Sequence, residues 1–171
     1  MKRIAITGPE STGKSTLSMA LSQHFNCPLV DEYAREYLSG LHRPYVYEDI
    51  ETIALQQMKS ENILLAANPT MLISDTELIV IKIWMDHRFG IIPHWLEEKI
   101  FERRFDLYLL CNVDIEWESD PMREHPQLRD YFFHKYKSEL IRYGFPYIII
   151  EGNREERFNK ALSGIEGILK A

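Results

Sequence analysis

The chain has 171 residues, 45% of them apolar, with 20 Lys+Arg against 26 Asp+Glu for a net charge of −6. This size suits one domain with a sizeable core, read as a single unit over 1–171, and the acidic balance without a Lys/Arg-rich run argues against a nucleic-acid partner. Cys27 and Cys111 share no metal-ligand spacing and fit a reducing compartment, while the lack of a signal-like or membrane-length apolar run leads us to expect a soluble cytoplasmic protein.

Residues 3–7, RIAIT, form a short apolar run that predicts a strand. A helical pattern follows over 14–25, with Leu17, Ala20, Leu21 and His24 on one face. CPLV (27–30) is a weaker strand candidate ending at Asp31 and Glu32. Residues 48–67 read as a helix with Ile50, Ile53, Ala54 and Gln57 at i, i+3, i+4, i+7. MLIS (71–74) predicts a strand that runs into Asp75 and a helix over about 76–88. DLYLLC (106–111) and YIIIE (147–151) are two further strands. Between them, 112–130 is too irregular for one helix and has the length and charge of a lid. The last helix, 154–169, carries Phe158, Ala161, Leu162, Ile165 and Leu169 on its apolar face and opens on an Asn153/Glu156 capping pair. Strands alternating with helices predict an α/β protein with a parallel sheet covered on both faces. Ligands on such a sheet bind beyond the strand C-terminal ends.

The residues at those ends carry the chemistry. Gly8-Pro-Glu-Ser-Thr-Gly13-Lys14-Ser15 matches G-x-x-x-x-G-K-[ST] at every fixed position, between a strand and a helix. Backbone N–H groups of such a loop wrap phosphate, aided by the positive helix N-terminus. Gly8, Glu10, Ser11, Thr12, Gly13, Lys14, Ser15 and Thr16 are therefore candidate ATP contacts, with Ser15 also a Mg²⁺ ligand. Arg154, beyond the last strand, is a further nucleotide-binding candidate. Asp75 sits where a Mg²⁺-side carboxylate belongs, and it could equally cap the following helix. Glu32 or Asp31, with Arg35, could hold an acceptor hydroxyl and take its proton; the same spacing also suits a surface Glu32–Arg35 ion pair. Gln57 interrupts an apolar helix face and needs a partner, either a ligand or nearby backbone. Arg123 and Arg129 could close over transferring phosphoryl charge.

These segments together resemble the ribosylnicotinamide kinase domain of the NadR type, grouped with the small NadR/AAA-like P-loop ATPases. The likeness runs through GPESTGKST, EYAREYL, IALQQ, ISDTELIVIKIW, FDLYLLCNVDIEWESDPMREHPQLRDYF and YIIIEG, nearly the whole chain. The resemblance implies a P-loop kinase fold with a five-stranded parallel sheet in order 2-3-1-4-5. It implies transfer of the ATP γ-phosphate to the 5′-hydroxyl of nicotinamide riboside, giving nicotinamide mononucleotide. Carried over, Lys14, Ser15 and Thr16 are triphosphate and Mg²⁺ contacts, Glu32 the base, Asp75 the metal-side acid and Gln57 a substrate contact. Trp117, Asp120, Arg123 and Arg129 fall in the family's lid. Asp31 stands where many relatives have proline, so either neighbouring acid can be the base. Full-length NadR proteins add an adenylyltransferase domain and, in some, a DNA-binding helix-turn-helix; 171 residues suggest the stand-alone kinase form. The competing readings are a kinase for another nucleoside or small alcohol, and a nucleotide switch. The switch would be better supported by an Asn-Lys-x-Asp stretch, which does not occur.

Overall fold

The computed structural model describes residues 1–120 and 123–170; Pro121 and Met122, in the expected lid, and Ala171, at the end of the expected domain, lie outside the described residues. Five strands form one parallel sheet: β1 (Lys2–Thr7), β2 (Leu29–Val30), β3 (Met71–Asp75), β4 (Leu107–Cys111) and β5 (Tyr147–Ile150), in order β2-β3-β1-β4-β5. The helices are α1 (Lys14–Phe25), α2 (Tyr33–Ser39), α3 (Tyr47–Leu65), α4 (Leu78–Phe89), α5 (His94–Glu102), α6 (Arg129–Tyr143) and α7 (Arg154–Lys170). This is the expected doubly covered α/β architecture and strand order.

Strand alternation divides the core in two, because successive side chains point to opposite faces. Ile4, Ile6, Ile73, Leu109 and Cys111 pack with Leu17, Leu21, Ala161 and Ile165 of α1 and α7. Ala5, Tyr108 and Leu110 face the other way, toward α3, α4, α5 and α6, through Ile53, Ile79, Leu96 and Leu140. The central β1 has both faces covered, and its Ile6 pairs with Asp75 of β3. The β1 and β3 ends therefore lie side by side where the site forms.

Some sequence expectations shift in detail. In α1, Ser18 is buried and His24 is exposed, its ring edge against Phe25 and Phe158. In α7, Leu169 is 46% exposed, and Ile168 packs on the core in its place. The reason is phase: one step along the last turn moves a side chain by about 100°. The Asn153/Glu156 cap is present, with Asn153 Oδ1 accepting from the Glu156 N–H at 3.1 Å and Glu156 Oε2 from the Asn153 N–H at 2.7 Å. Among its described residues, the expected lid is irregular over 112–120 and 123–125, then makes a single 3₁₀ turn (Pro126–Leu128) and enters α6 at Arg129. No described helix is long and apolar enough to cross a membrane.

Candidate functional site

The phosphate loop joins β1 to α1. Gly8 has φ +130°, and a Cβ there would lie 2.8 Å from the Cys111 carbonyl oxygen, so the close approach to β4 admits only glycine. Ser11, at φ 54°, holds a left-handed conformation that non-glycine residues seldom adopt. Thr12 Oγ1 and Lys14 Nζ both donate to the Pro9 carbonyl at 2.7 Å, closing the loop on itself. Gly13, in the left-handed region, precedes α1 and leaves the helix N-terminus open toward the cavity.

Asp75 ends β3 at 4% exposure beside the loop. Burial pushes its carboxyl up to about 6; a hydrogen bond from Ser15 and the charge of Lys14 pull it down, and Glu32 and Asp31 push it further up. Its Oδ1 is buried without a hydrogen-bond partner. An orphaned carboxylate oxygen beside the loop serine fits a divalent cation, so Ser15 and Asp75 are the residues that would hold Mg²⁺. Capping of α4 falls to Glu77, whose side chain accepts from the Ile79 N–H at 2.7 Å and from Thr7 Oγ1 at 2.9 Å. Glu77 is buried, and burial pushes its carboxyl up to about 7.

A cavity of about 930 Å³ runs from this loop to an aromatic end. Gly8 to Leu17, Arg154 and Arg157 line the phosphate end; Tyr45, Trp84, His87, Phe132 and Tyr136 line the other. Glu32 and Arg35 stand in the wall, with Glu32 Oε2 and Arg35 Nε 3.8 Å apart. Asp31 is exposed and outside that wall. Arg35 also donates to Asp120 of the lid at 3.0 Å.

The lid lies on the loop. Ser11 Oγ accepts from the Glu118 N–H at 2.8 Å and from Arg123 at 3.4 Å. Arg129 donates to the carbonyls of Ser11, Val113 and Ile115 at 3.1, 3.3 and 2.8 Å, and its guanidinium carbon is 5.9 Å from the Trp117 ring centre. Arg129 thus braces the lid base while its side chain lines the cavity, and Arg123 meets the loop itself.

Gln57 is not brought to the cavity wall. Its Oε1 accepts from the Tyr33 N–H at 2.9 Å, tying α3 to the first turn of α2, and its Nε2 is buried without a partner. Trp117 also lies outside the wall. Sequence reasoning missed Arg157. It is 6% exposed and bonds the carbonyls of Thr12, Asn112 and Gly152 at 2.9, 3.0 and 2.8 Å and the Asp114 carboxylate, tying the loop to the ends of β4 and β5. The available signal was a cation one turn inside α7, near three strand ends; the same cation also suits a solvated face. Tyr45 and Trp84 were missed as well, since nothing local joins 45 to 84; Trp84 Nε1 donates to the Tyr45 hydroxyl at 3.1 Å.

A family model described as an AAA domain matches residues 3–157. The chain is 29% identical over 127 residues to the "Trifunctional NAD biosynthesis/regulator protein NadR" of Salmonella typhimurium, covering 72% of this chain and 31% of that protein. It thus spans about a third of that curated relative. Among solved structures, a NadR protein in complex with NR superposes with a TM-score of 0.78 at 22% identity, over 97% of this chain and 51% of that one. Deoxyadenosine kinase from M. mycoides with bound dATP superposes at 0.64 and 16% identity, over 97% of this chain and all of that one (100%).

Proposed function

The chain belongs to the AAA-domain family, and from that premise we propose that it is an ATP-dependent kinase that phosphorylates the 5′-hydroxyl of a nucleoside, nicotinamide riboside before others. The observation that carries this reading is one continuous cavity whose wall holds the phosphate loop, an aromatic cluster and the carboxylate of Glu32. A hydrolytic switch needs no such second compartment. Its aromatic lining suits the planar base of an acceptor. Two of the arginines in its wall are already committed to carboxylates: Arg35 meets Glu32 and Asp120, and Arg43 meets Asp49 at 2.6 Å. An acceptor that already carried a phosphate would need a cation to spare, so a nucleoside is favoured over a nucleotide. The similarity to NadR in sequence and structure supports the nicotinamide riboside assignment.

In this reading the loop N–H groups and Lys14 hold the β- and γ-phosphates of ATP. Mg²⁺ at Ser15 and Asp75 would neutralise charge on the triphosphate. Glu32 takes the proton as the acceptor oxygen bonds to the γ-phosphorus, and the bond from that phosphorus to the β,γ-bridging oxygen breaks toward ADP. Arg123, at the face of the loop, offsets charge on the moving group. The lid keeps water out, so that ATP is spent on the acceptor.

An ATP-consumption assay over a nucleoside panel, with a no-acceptor control, tests the proposal. The expected result is slow hydrolysis alone and strong stimulation by nicotinamide riboside, with nicotinamide mononucleotide and ADP formed in equal amounts. Stimulation by a purine or pyrimidine nucleoside in its place refutes the acceptor assignment. Hydrolysis that no acceptor stimulates refutes the kinase.

A further inference from the structure

We infer that Glu10 is a positioning residue, a latch that holds the lid in register with both the phosphate loop and the acceptor wall. A carboxylate inside a loop built to bind phosphate is a liability, because it repels the ligand. Its contacts supply a reason for it. Glu10 Oε2 accepts from two consecutive backbone N–H groups of the lid, Glu124 at 3.0 Å and His125 at 3.4 Å. Both donors come from more than a hundred residues away in sequence, so the contact is purely tertiary. A backbone N–H bonded to an ionised acceptor is among the stronger hydrogen bonds available to a loop.

The segment it holds is not a passive flap. The carboxylate of Glu124 accepts from the Tyr45 hydroxyl at 3.0 Å, and that hydroxyl accepts from Trp84 at 3.1 Å. The ring of His125 lies edge-on to His87, with centres 4.9 Å apart, and 5.5 Å from Phe132. Tyr45, Trp84, His87 and Phe132 are the acceptor end of the cavity. One carboxylate thus connects the loop that holds the donor to the wall that would receive the acceptor. Ser11, the next loop residue, holds a separate part of the lid through Glu118 and Arg123. Loss of Glu10 should therefore loosen residues 124–125 and leave the Ser11 contacts in place.

The kinetic arm of the test rests on the kinase reading, and the exchange arm does not. Amide hydrogen exchange is measured on the wild-type chain, Glu10→Ala and Glu10→Gln, all without nucleotide. Glutamine keeps a side-chain oxygen that can accept both bonds. The expected result is that exchange at Glu124 and His125 rises on the order of tenfold or more in Glu10→Ala and stays within about threefold of wild type in Glu10→Gln, with Glu118 unchanged in both. In the kinetic arm, Glu10→Ala should raise the ratio of ATP hydrolysed to acceptor phosphorylated, and the acceptor KM, each by about tenfold, with Glu10→Gln between it and wild type. Unchanged exchange at Glu124 and His125 in Glu10→Ala overturns the latch. So does equal kinetic behaviour of the two variants, which is the signature of a charge acting on the phosphates alone. If the exchange result holds and no acceptor is phosphorylated, the latch stands and the kinase reading falls.

Discussion

The phosphate end of the cavity and its aromatic end, the proposed acceptor side, are built on different principles. The loop is eight consecutive residues, and two of its defining bonds, from Thr12 and Lys14 to the Pro9 carbonyl, stay within it. The acceptor end is gathered from Tyr45 before α3, Trp84 and His87 on α4, His125 in the lid and Phe132 on α6. A motif that is local in sequence acts as one unit, whatever the rest of the cavity holds. A wall assembled over nearly ninety positions can be changed one piece at a time. Damage to the loop should therefore be large and the same for every acceptor, and damage to the wall should depend on the acceptor offered.

Lys14→Ala is the severest test of the first half. It removes the cation proposed to hold the β/γ-phosphates, and kcat should fall on the order of 10³-fold with every acceptor. Turnover near that of wild type, or a loss confined to one acceptor, breaks the contrast. Glu32→Gln should come next, with kcat down about 10²-fold and nucleotide binding retained, because the amide cannot take a proton. Asp31→Asn should do far less, since Asp31 is outside the cavity wall. A larger kcat loss in Asp31→Asn would move the base by one residue.

How much was legible follows the same division. The sheet, the loop and the α7 cap could be read because each rests on a short pattern: an apolar run, a fixed glycine spacing, an Asn/Glu pair; the strand order came only with the family resemblance. The neighbouring acids Asp31 and Glu32 could not be told apart from sequence, because only the turn into α2 decides which faces inward. Arg157 and Glu77 were not singled out for a related reason. A cation on a helix and a carboxylate after a strand usually face water, and only long-range packing puts these two at 6% and 5% exposure. The lid arginines were legible as a pair and not as individuals; Arg129 is committed to three carbonyls and Arg123 to the loop.

A smaller effect is expected where the acceptor end is anchored to the rest of the fold. Asp49, at the start of α3, accepts from the Val46 N–H at 2.7 Å, from Arg43 at 2.6 and 2.8 Å and from Tyr37 at 2.8 Å. The Arg43 bonds, followed by the Val46 N–H, hold its carboxyl well below the usual carboxylate range. Its folded pKa lies under its unfolded one, so the stability it contributes is present above pH ~4 and is lost as pH falls further. Asp49→Asn should cost about 1–2 kcal/mol at pH 7. In thermal melts its deficit against wild type should shrink between pH 5 and pH 3. A constant deficit across that range would show that the charge contributes nothing.

The smallest expected effect separates the two roles that the sequence offers Gln57. As a ligand contact, its amide would read the acceptor, and its loss would appear in KM. The structure gives it another partner: Oε1 holds the Tyr33 N–H, and Nε2 is buried unpaired beside a crevice of about 10 Å³, room for one water at most. Methionine has similar length and no polar atoms to satisfy. Gln57→Met loses one acceptor for a backbone donor and removes one unpaired donor, so the two terms oppose each other. Stability should change by less than about 1 kcal/mol. The acceptor KM should stay within about threefold of wild type, because Gln57 reaches the site only through the position of α2. Any shift should be shared by all acceptors, since α2 carries Arg35 and sits directly after Glu32. A rise in KM of tenfold or more for one nucleoside alone, with an unchanged melt, would return Gln57 to the acceptor site and make that end of the cavity more local in sequence than its walls indicate.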